Sequence, residues 1–192
     1  LSTARAVEMI REAKQRGLPV TADVAAHQLI LNEHDVRGFN RQTHVRPPLR
    51  SEEDRQALVA GVVDGTIDAI CSDHQPHEPD AKLAPFPATE AGISAIDTLL
   101  PIVMELVNDQ HIPLATAIAA ISCNPARILG LEKGTLSEGA IADIAVISQE
   151  NWELSSNLYA SEQCNSPFVE RQFSHRVTMG IVAGRVVATR AH

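Results

Sequence analysis

The chain has 192 residues, 44% of them hydrophobic, with a formal net charge of −8 and three cysteines. That length supports one substantial core, or a core with a small appendage, and no apolar run reaches the roughly 18–20 residues needed to cross a bilayer. An acidic balance without a basic run argues against nucleic-acid binding, and three scattered cysteines fit a reducing, cytoplasmic setting better than a disulfide framework.

In chain order, Ser2 and Thr3 carry cap chemistry, and Ala6, Val7, Ile10 and Ala13 recur at helical spacing. This predicts a helix from Ala4 to Arg16, stopped by Gly17. Arg5, Glu8, Arg11, Glu12 and Lys14 interrupt it, so it does not read as a secretory leader. The sequence starts at Leu1, without Met and at a helix start, which reads as a segment of something longer. Leu18 to Val24 reads as a strand running on to His27, and a helix, a glycine and a buried strand make half of an α/β unit. His27 itself reads as structural. Residues 32–50, with Gly38, Asn40 and Pro47-Pro48, form a connection longer than most; ordered loops of that length are usually functional. His34 and His44 read there as solvated. Ser51 with Glu52, Glu53 and Asp54 opens an acidic, capped helix, its apolar face made by Leu58, Val59, Val62 and Val63 and its end by Gly65.

Ile67 to Ser72 predicts a buried strand that stops at Asp73, with His74, Pro76 and His77 following at once. Helix, strand, loop, helix, strand in succession predicts a parallel sheet whose chemistry lies at the C-terminal strand ends. A carboxylate and two imidazoles there suit zinc or proton transfer; the alternative is a strand-end Asp that caps the next turn. Residues 78–87 hold three prolines and read as loop. The apolar stretch after Gly92 predicts a helix from about Ala95, kinked or restarted at Pro101. Pro113 opens another through Ala120, and Ala126 to Leu129 forms a short one closed by Gly130. Beyond Gly130 the pattern changes to a strand over 141–147 and a hairpin of Val177–Val182 and Arg185–Thr189 about Ala183-Gly184. Between them, 151–173 carries Trp152 and Tyr159 with weak periodicity. Residues 1–130 thus read as α/β and 131–192 as a small β appendage.

Four stretches, V-R-P-P-L-R-S-E-E-D-R-Q-A-L (45–58), S-D-H-Q-P-H (72–77), N-P-A-R-I-L-G-L (124–131) and K-G-T-L-S-E-G-A-I-A-D-I-A-V-I (133–147), resemble the dihydroorotase family. This is the cyclic amidohydrolase branch of the metal-dependent amidohydrolases, and the motifs fall in the family's order from Leu1 to about Val187. The resemblance implies the C-terminal portion of a (β/α)₈ TIM-like barrel followed by part of a small β-sandwich. It implies a zinc site, often binuclear, and reversible cyclisation of N-carbamoyl-L-aspartate to dihydroorotate in pyrimidine biosynthesis. Asp73 matches the carboxylate that binds metal and shuttles the proton, zinc lowering the pKa of the attacking water. His77 matches a substrate-contacting imidazole, the backbone of Ala91 and Gly92 a substrate-binding turn, and His74 a residue orienting Asp73. An oligomer is expected.

Two departures accompany the resemblance. The family's H-x-H pair, its bridging carboxylated lysine or aspartate and two further histidines would all precede Leu1, so this segment alone is expected to be inactive and its strand edge to need pairing. Arg46 stands where the family has an asparagine; its guanidinium can still grip a substrate carboxylate through a bidentate fork. A similar loss of site residues marks the noncatalytic dihydroorotase-like chains that assemble with aspartate transcarbamoylase, which gives the second reading. A third is another cyclic amidohydrolase, such as a hydantoinase or allantoinase.

Overall fold

A computed structural model describes residues 1–155 and 165–189. Its elements in chain order are α1 (Ala4–Gln15), β1 (Asp23–Ala25), α2 (Glu52–Val63), β2 (Ala69–Cys71), α3 (Leu99–Asn108), α4 (Leu114–Ile121), α5 (Cys123–Ile128), β3 (Ile144–Glu153), β4 (Gln172–Val182) and β5 (Arg185–Thr189).

The first two helices start where their caps place them. Thr3 accepts from the Ala6 N–H and Ser51 from the Asp54 N–H, each satisfying an amide that the helix cannot. Asp54 also accepts the Ala4 N–H at 2.7 Å, so an acid in the first turn of α2 caps α1 as well. Gly61 allows these helices to meet. A Cβ there would sit 3.0 Å from Val7 Cγ1 and 3.2 Å from Ile67 Cδ1.

β1 and β2 pair in parallel, Asp23 with Ala69, Val24 with Ile70 and Ala25 with Cys71, joined by a crossover that contains α2. Val24 and Ile70 point into a core shared with Val7, Leu58, Val62 and Ile67. The strands are shorter than the apolar runs predict. Ala26 to Leu29 turns into a 3-10 helix with all four residues buried, and the Ile67 N–H goes back to Gly61 O in α2.

α3 begins at Leu99, preceded by a 3-10 turn over Ile96–Thr98, and not near Ala95. The helix runs unbroken past Pro101. As its third residue, the proline lacks an N–H that would have no partner in the helix anyway. α5 likewise starts earlier than expected, at Cys123, with Pro125 inside its first turn.

β3, β4 and β5 form an antiparallel sheet in that order. Ala183 and Gly184 both take left-handed φ, +49° and +77°, as a two-residue hairpin turn requires. β3 extends through Trp152, well past Ile147, with an irregular register between Gln149 and Trp152. Trp152 donates Nε1–H to His175 O and its ring lies 5.6 Å from that of Phe173. Tyr159 lies outside the described residues. Leu154, Phe168 and Phe173 join the same apolar core as Ile102, Val103 and Leu106 of α3, so the weakly periodic stretch contributes the largest fully buried side chain, Phe168. No described helix is long and apolar enough to cross a membrane.

Candidate active-site rim

The chain leaves β2 through Ser72 and turns at Asp73, whose φ of +48° is unusual for a residue with a Cβ and costs backbone strain. The turn brings the side-chain amide of Gln75 back onto Asp73 Oδ1 at 2.9 Å. His74 does something other than orient Asp73. It bridges to Ile93, and its Nδ1 accepts the N–H groups of Ala95 and Ile96 at 3.0 and 3.2 Å. A nitrogen that accepts carries no proton, which puts the neutral ring's proton on Nε2. The orienting contact on Asp73 comes from Gln75.

His77 donates Nε2–H to the Ala91 carbonyl at 2.9 Å, and its backbone N–H goes to Asn165 Oδ1 at 2.7 Å. Gly92 follows with φ +140°, a region closed to other residues. A Cβ there would lie 2.5 Å from Gln75 Cβ and 3.0 Å from His77 Nε2. Its N–H donates to His44 O at 2.8 Å.

Two residues without a sequence signal hold this turn. Lys82 donates Nζ–H to Glu90 O at 2.7 Å and to Gly92 O at 3.0 Å. Asn165, 3% exposed, donates its side-chain amide to Gln75 O at 3.1 Å and to Gly92 O at 3.0 Å, while its backbone carbonyl accepts the Ser94 N–H. The buried side-chain amide thus joins residues 75 and 77 to Gly92, and the Asn165 backbone adds Ser94. Lys82 lies in a proline-rich loop and Asn165 in the weakly periodic stretch, where a lone polar residue reads as solvated.

His27, 2% exposed in the 3-10 turn that follows β1, feels the charge of Asp73. Burial dominates and lowers its pKa from 6.5 to about 4, the Asp73 carboxylate opposing. Its Nδ1 has no hydrogen-bond partner among the described residues. His34 is exposed as expected, but His44 is not a free loop imidazole. Its Nδ1 pairs with Thr89 Oγ1 at 2.8 Å, and its ring lies 4.8 Å from that of Phe86. Burial first, then the nearby Lys82 and Arg46 charges, lower its pKa. Arg46 is exposed and lines a cavity with His44, Val36 and Phe86 whose walls do not include Asp73. Asp73, His77, Ala91 and Gly92 are therefore linked through one hydrogen-bonded loop cluster, and Arg46 stands apart from it.

Among the described residues, no three His, Cys, Asp or Glu side chains form a group that could hold a metal. Two of the candidate nitrogens, His74 Nδ1 and His77 Nε2, are spent on backbone groups. Catalytic zinc takes about three protein ligands, so these residues do not fit a zinc ion by themselves.

The Amidohydrolase family model matches residues 3–187. The chain is 45% identical over 186 residues to the dihydroorotase-like protein of Pseudomonas aeruginosa, covering 97% of this chain and 44% of that protein. It is 40% identical over 188 residues to the dihydroorotase of Geobacter sp. (strain M21), again 97% and 44%. In three dimensions it resembles the L-hydantoinase (dihydropyrimidinase) from Arthrobacter aurescens with a TM-score of 0.93 at 25% identity, covering 100% of this chain and 44% of that one. The chain spans less than half the length of these relatives. With nearly every residue inside the family match, and a strand-end Asp-His-x-Pro-His loop within it, this chain belongs to the amidohydrolase family.

Proposed function

We propose that the chain supplies the C-terminal part of a dihydroorotase-type enzyme that interconverts dihydroorotate and N-carbamoyl-L-aspartate. In this reading β1 and β2 are strands of a (β/α)₈ barrel, and β3–β5, beyond a boundary near residue 130, belong to a small β-sandwich; the parallel pairing of β1 with β2 and the separate antiparallel sheet of β3–β5 support it. The observation that carries the reading is Asp73, delivered by a parallel strand and tied through Gln75 to the His77–Ala91–Gly92 turn.

In this role Asp73 takes a proton from the attacking water and returns it to the ring nitrogen, work suited to a fixed carboxylate. The turn at Ala91 and Gly92 is where the substrate is received at close approach, although the Gly92 N–H and the carbonyls of both residues are already engaged within the protein. His77, its proton fixed on Nε2 by Ala91 O, keeps that turn in place and presents its other ring nitrogen. Arg46 is assigned to the substrate carboxylate from the outer loop. Zinc enters only with ligands from polypeptide outside this stretch, because Asp73 is the one ligand assigned here. A cytoplasmic, oligomeric enzyme acting on a small molecule completes the reading.

The test is dihydroorotate hydrolysis by the intact polypeptide that carries this sequence, alongside its Asp73→Asn variant. We expect turnover in the wild type and a loss of about 10²-fold or more in the variant, the usual weight of a general acid–base. No turnover in the wild type, with zinc supplied, would rule the enzyme out.

A second reading, a noncatalytic subunit that holds aspartate transcarbamoylase together, draws on Arg46 and on Gln75 already occupying an Asp73 oxygen. Co-elution with the transcarbamoylase in size-exclusion chromatography, without hydrolysis, would favour it.

A further inference from the structure

Gln75 is fixed at its base, so that its carboxamide is the part that can move. Its backbone N–H donates to Ile93 O at 2.9 Å, and its backbone carbonyl accepts from Asn165 at 3.1 Å. Its Cβ is pressed against Gly92, where an added Cβ would come within 2.5 Å of it. The residue is half-buried, which leaves the end of a flexible side chain within reach of solvent.

That carboxamide lies between two walls of the rim. On one side Nε2 donates to Asp73 Oδ1 at 2.9 Å. On the other, a Cβ added to Gly92 would lie 2.9 Å from Gln75 Oε1 and 3.0 Å from His77 Nε2, so the amide oxygen and the imidazole edge fill the space over the Gly92 α-carbon. A carboxylate that exchanges a proton with a nitrogen needs that nitrogen within about 2.6–3.2 Å. Gln75 Nε2 already stands at such a distance. A cyclic amide brings the same two groups, an N–H and a C=O, to the same two walls.

We propose that Gln75 is a built-in occupant of the amide subsite: its carboxamide holds the place of a substrate's N–H and C=O between Asp73 and Gly92, and a ring amide enters only by displacing it. The proposal rests on the dihydroorotase-type reading of the rim and adds to it a competition within the chain. The contact then has two effects of opposite sign. It steadies the strained turn at Asp73, and it subtracts from ligand affinity, because the bond to Asp73 must break before a ligand takes the same oxygen. The cost of displacement is the net worth of that bond, which for an ionised acceptor is about tenfold in affinity.

The experiment is calorimetric binding of dihydroorotate to the intact polypeptide that carries this sequence, with zinc supplied, as wild type, Gln75→Ala and Gln75→Met. Gln75→Ala is expected to bind dihydroorotate about tenfold more tightly than the wild type, although it melts at a lower temperature. Gln75→Met keeps the length of the side chain but has no N–H to give Asp73, and it should also bind more tightly. A residue that only stiffens the turn gives the opposite result, since its loss loosens Asp73 and weakens binding. An Ala variant that binds no better than the wild type overturns the inference. So does an Ala variant that gains while Met does not, which assigns the effect to bulk and not to the amide. Should Ala fail to fold, as thermal melting would show, Met decides. If none of the three proteins binds dihydroorotate, the enzyme reading and this inference fall together. A wild type that hydrolyses dihydroorotate, with variants that bind it no more tightly, removes the inference alone.

Discussion

Gln75 donates its side-chain amide to Oδ1 of Asp73 at 2.9 Å, across a backbone turn in which Asp73 takes φ +48°. The amide is thus part of what holds a strained carboxylate in one orientation. Gln75→Ala removes a partly buried bond to an ionised acceptor, worth about 1–2 kcal/mol. The midpoint of thermal unfolding of the intact polypeptide should fall accordingly. An unchanged midpoint would mean that the turn is held by its backbone alone.

Gly92→Ala tests the close approach of the two loops. Its φ of +140° is closed to alanine, and the new Cβ would lie 2.5 Å from Gln75 Cβ. Strain of about 1–3 kcal/mol adds to a displacement of Gln75 that moves its contact with Asp73. We expect a lower denaturation midpoint and, on the proposed dihydroorotase-type function, weaker binding of dihydroorotate by the intact polypeptide. A variant matching the wild type in both would show the turn to be compliant.

His27 sets a pH dependence of stability. Its folded-state pKa is lowered from 6.5 to about 4 by burial, so between these values the unfolded chain binds more protons than the folded one. Stability from this group is full above about pH 6.5 and declines as pH falls toward 4, by about 3 kcal/mol in all. Denaturant titrations from pH 7 to pH 4 should show this slope in the wild type and a flatter one in His27→Gln. Parallel slopes would assign the acid sensitivity to other groups.

Phe168 is 1% exposed and packs in the core shared by α3 and the β3–β5 sheet. Truncating a buried phenylalanine costs about 3–5 kcal/mol, so Phe168→Ala should lower the urea midpoint strongly. A loss below about 1 kcal/mol would show that the core closes over the gap.

The helices were legible because caps and apolar spacing agree: Thr3 and Ser51 open α1 and α2 as their chemistry predicts. Strand lengths were not, since residues 26–29 are buried on every side and a short apolar run carries no period that separates a strand from a 3-10 turn. Trp152 was missed as a strand residue because the irregularity after Gln149 breaks the alternation. At the rim, the motif points to Asp73 and His77 and the family resemblance adds Ala91 and Gly92, while Gln75, Lys82 and Asn165 go unmarked. Their roles depend on carbonyls presented by distant segments, and nothing local distinguishes Lys82 from any other loop lysine. His44 was misjudged for the same reason: its partners, Thr89 and Phe86, are far along the chain.

Asn165 reaches back 88 positions to the amide of His77. On a translating ribosome, at roughly 5–20 residues per second, the Asp73 loop leaves the exit tunnel several seconds before the residue that clasps it. During that interval the rim has only the contacts made by Gln75, His77 and Lys82 to draw on, and a protein truncated before Asn165 would keep Asp73 and His77 in its sequence while losing the clasp that ties residues 75 and 77 to Gly92.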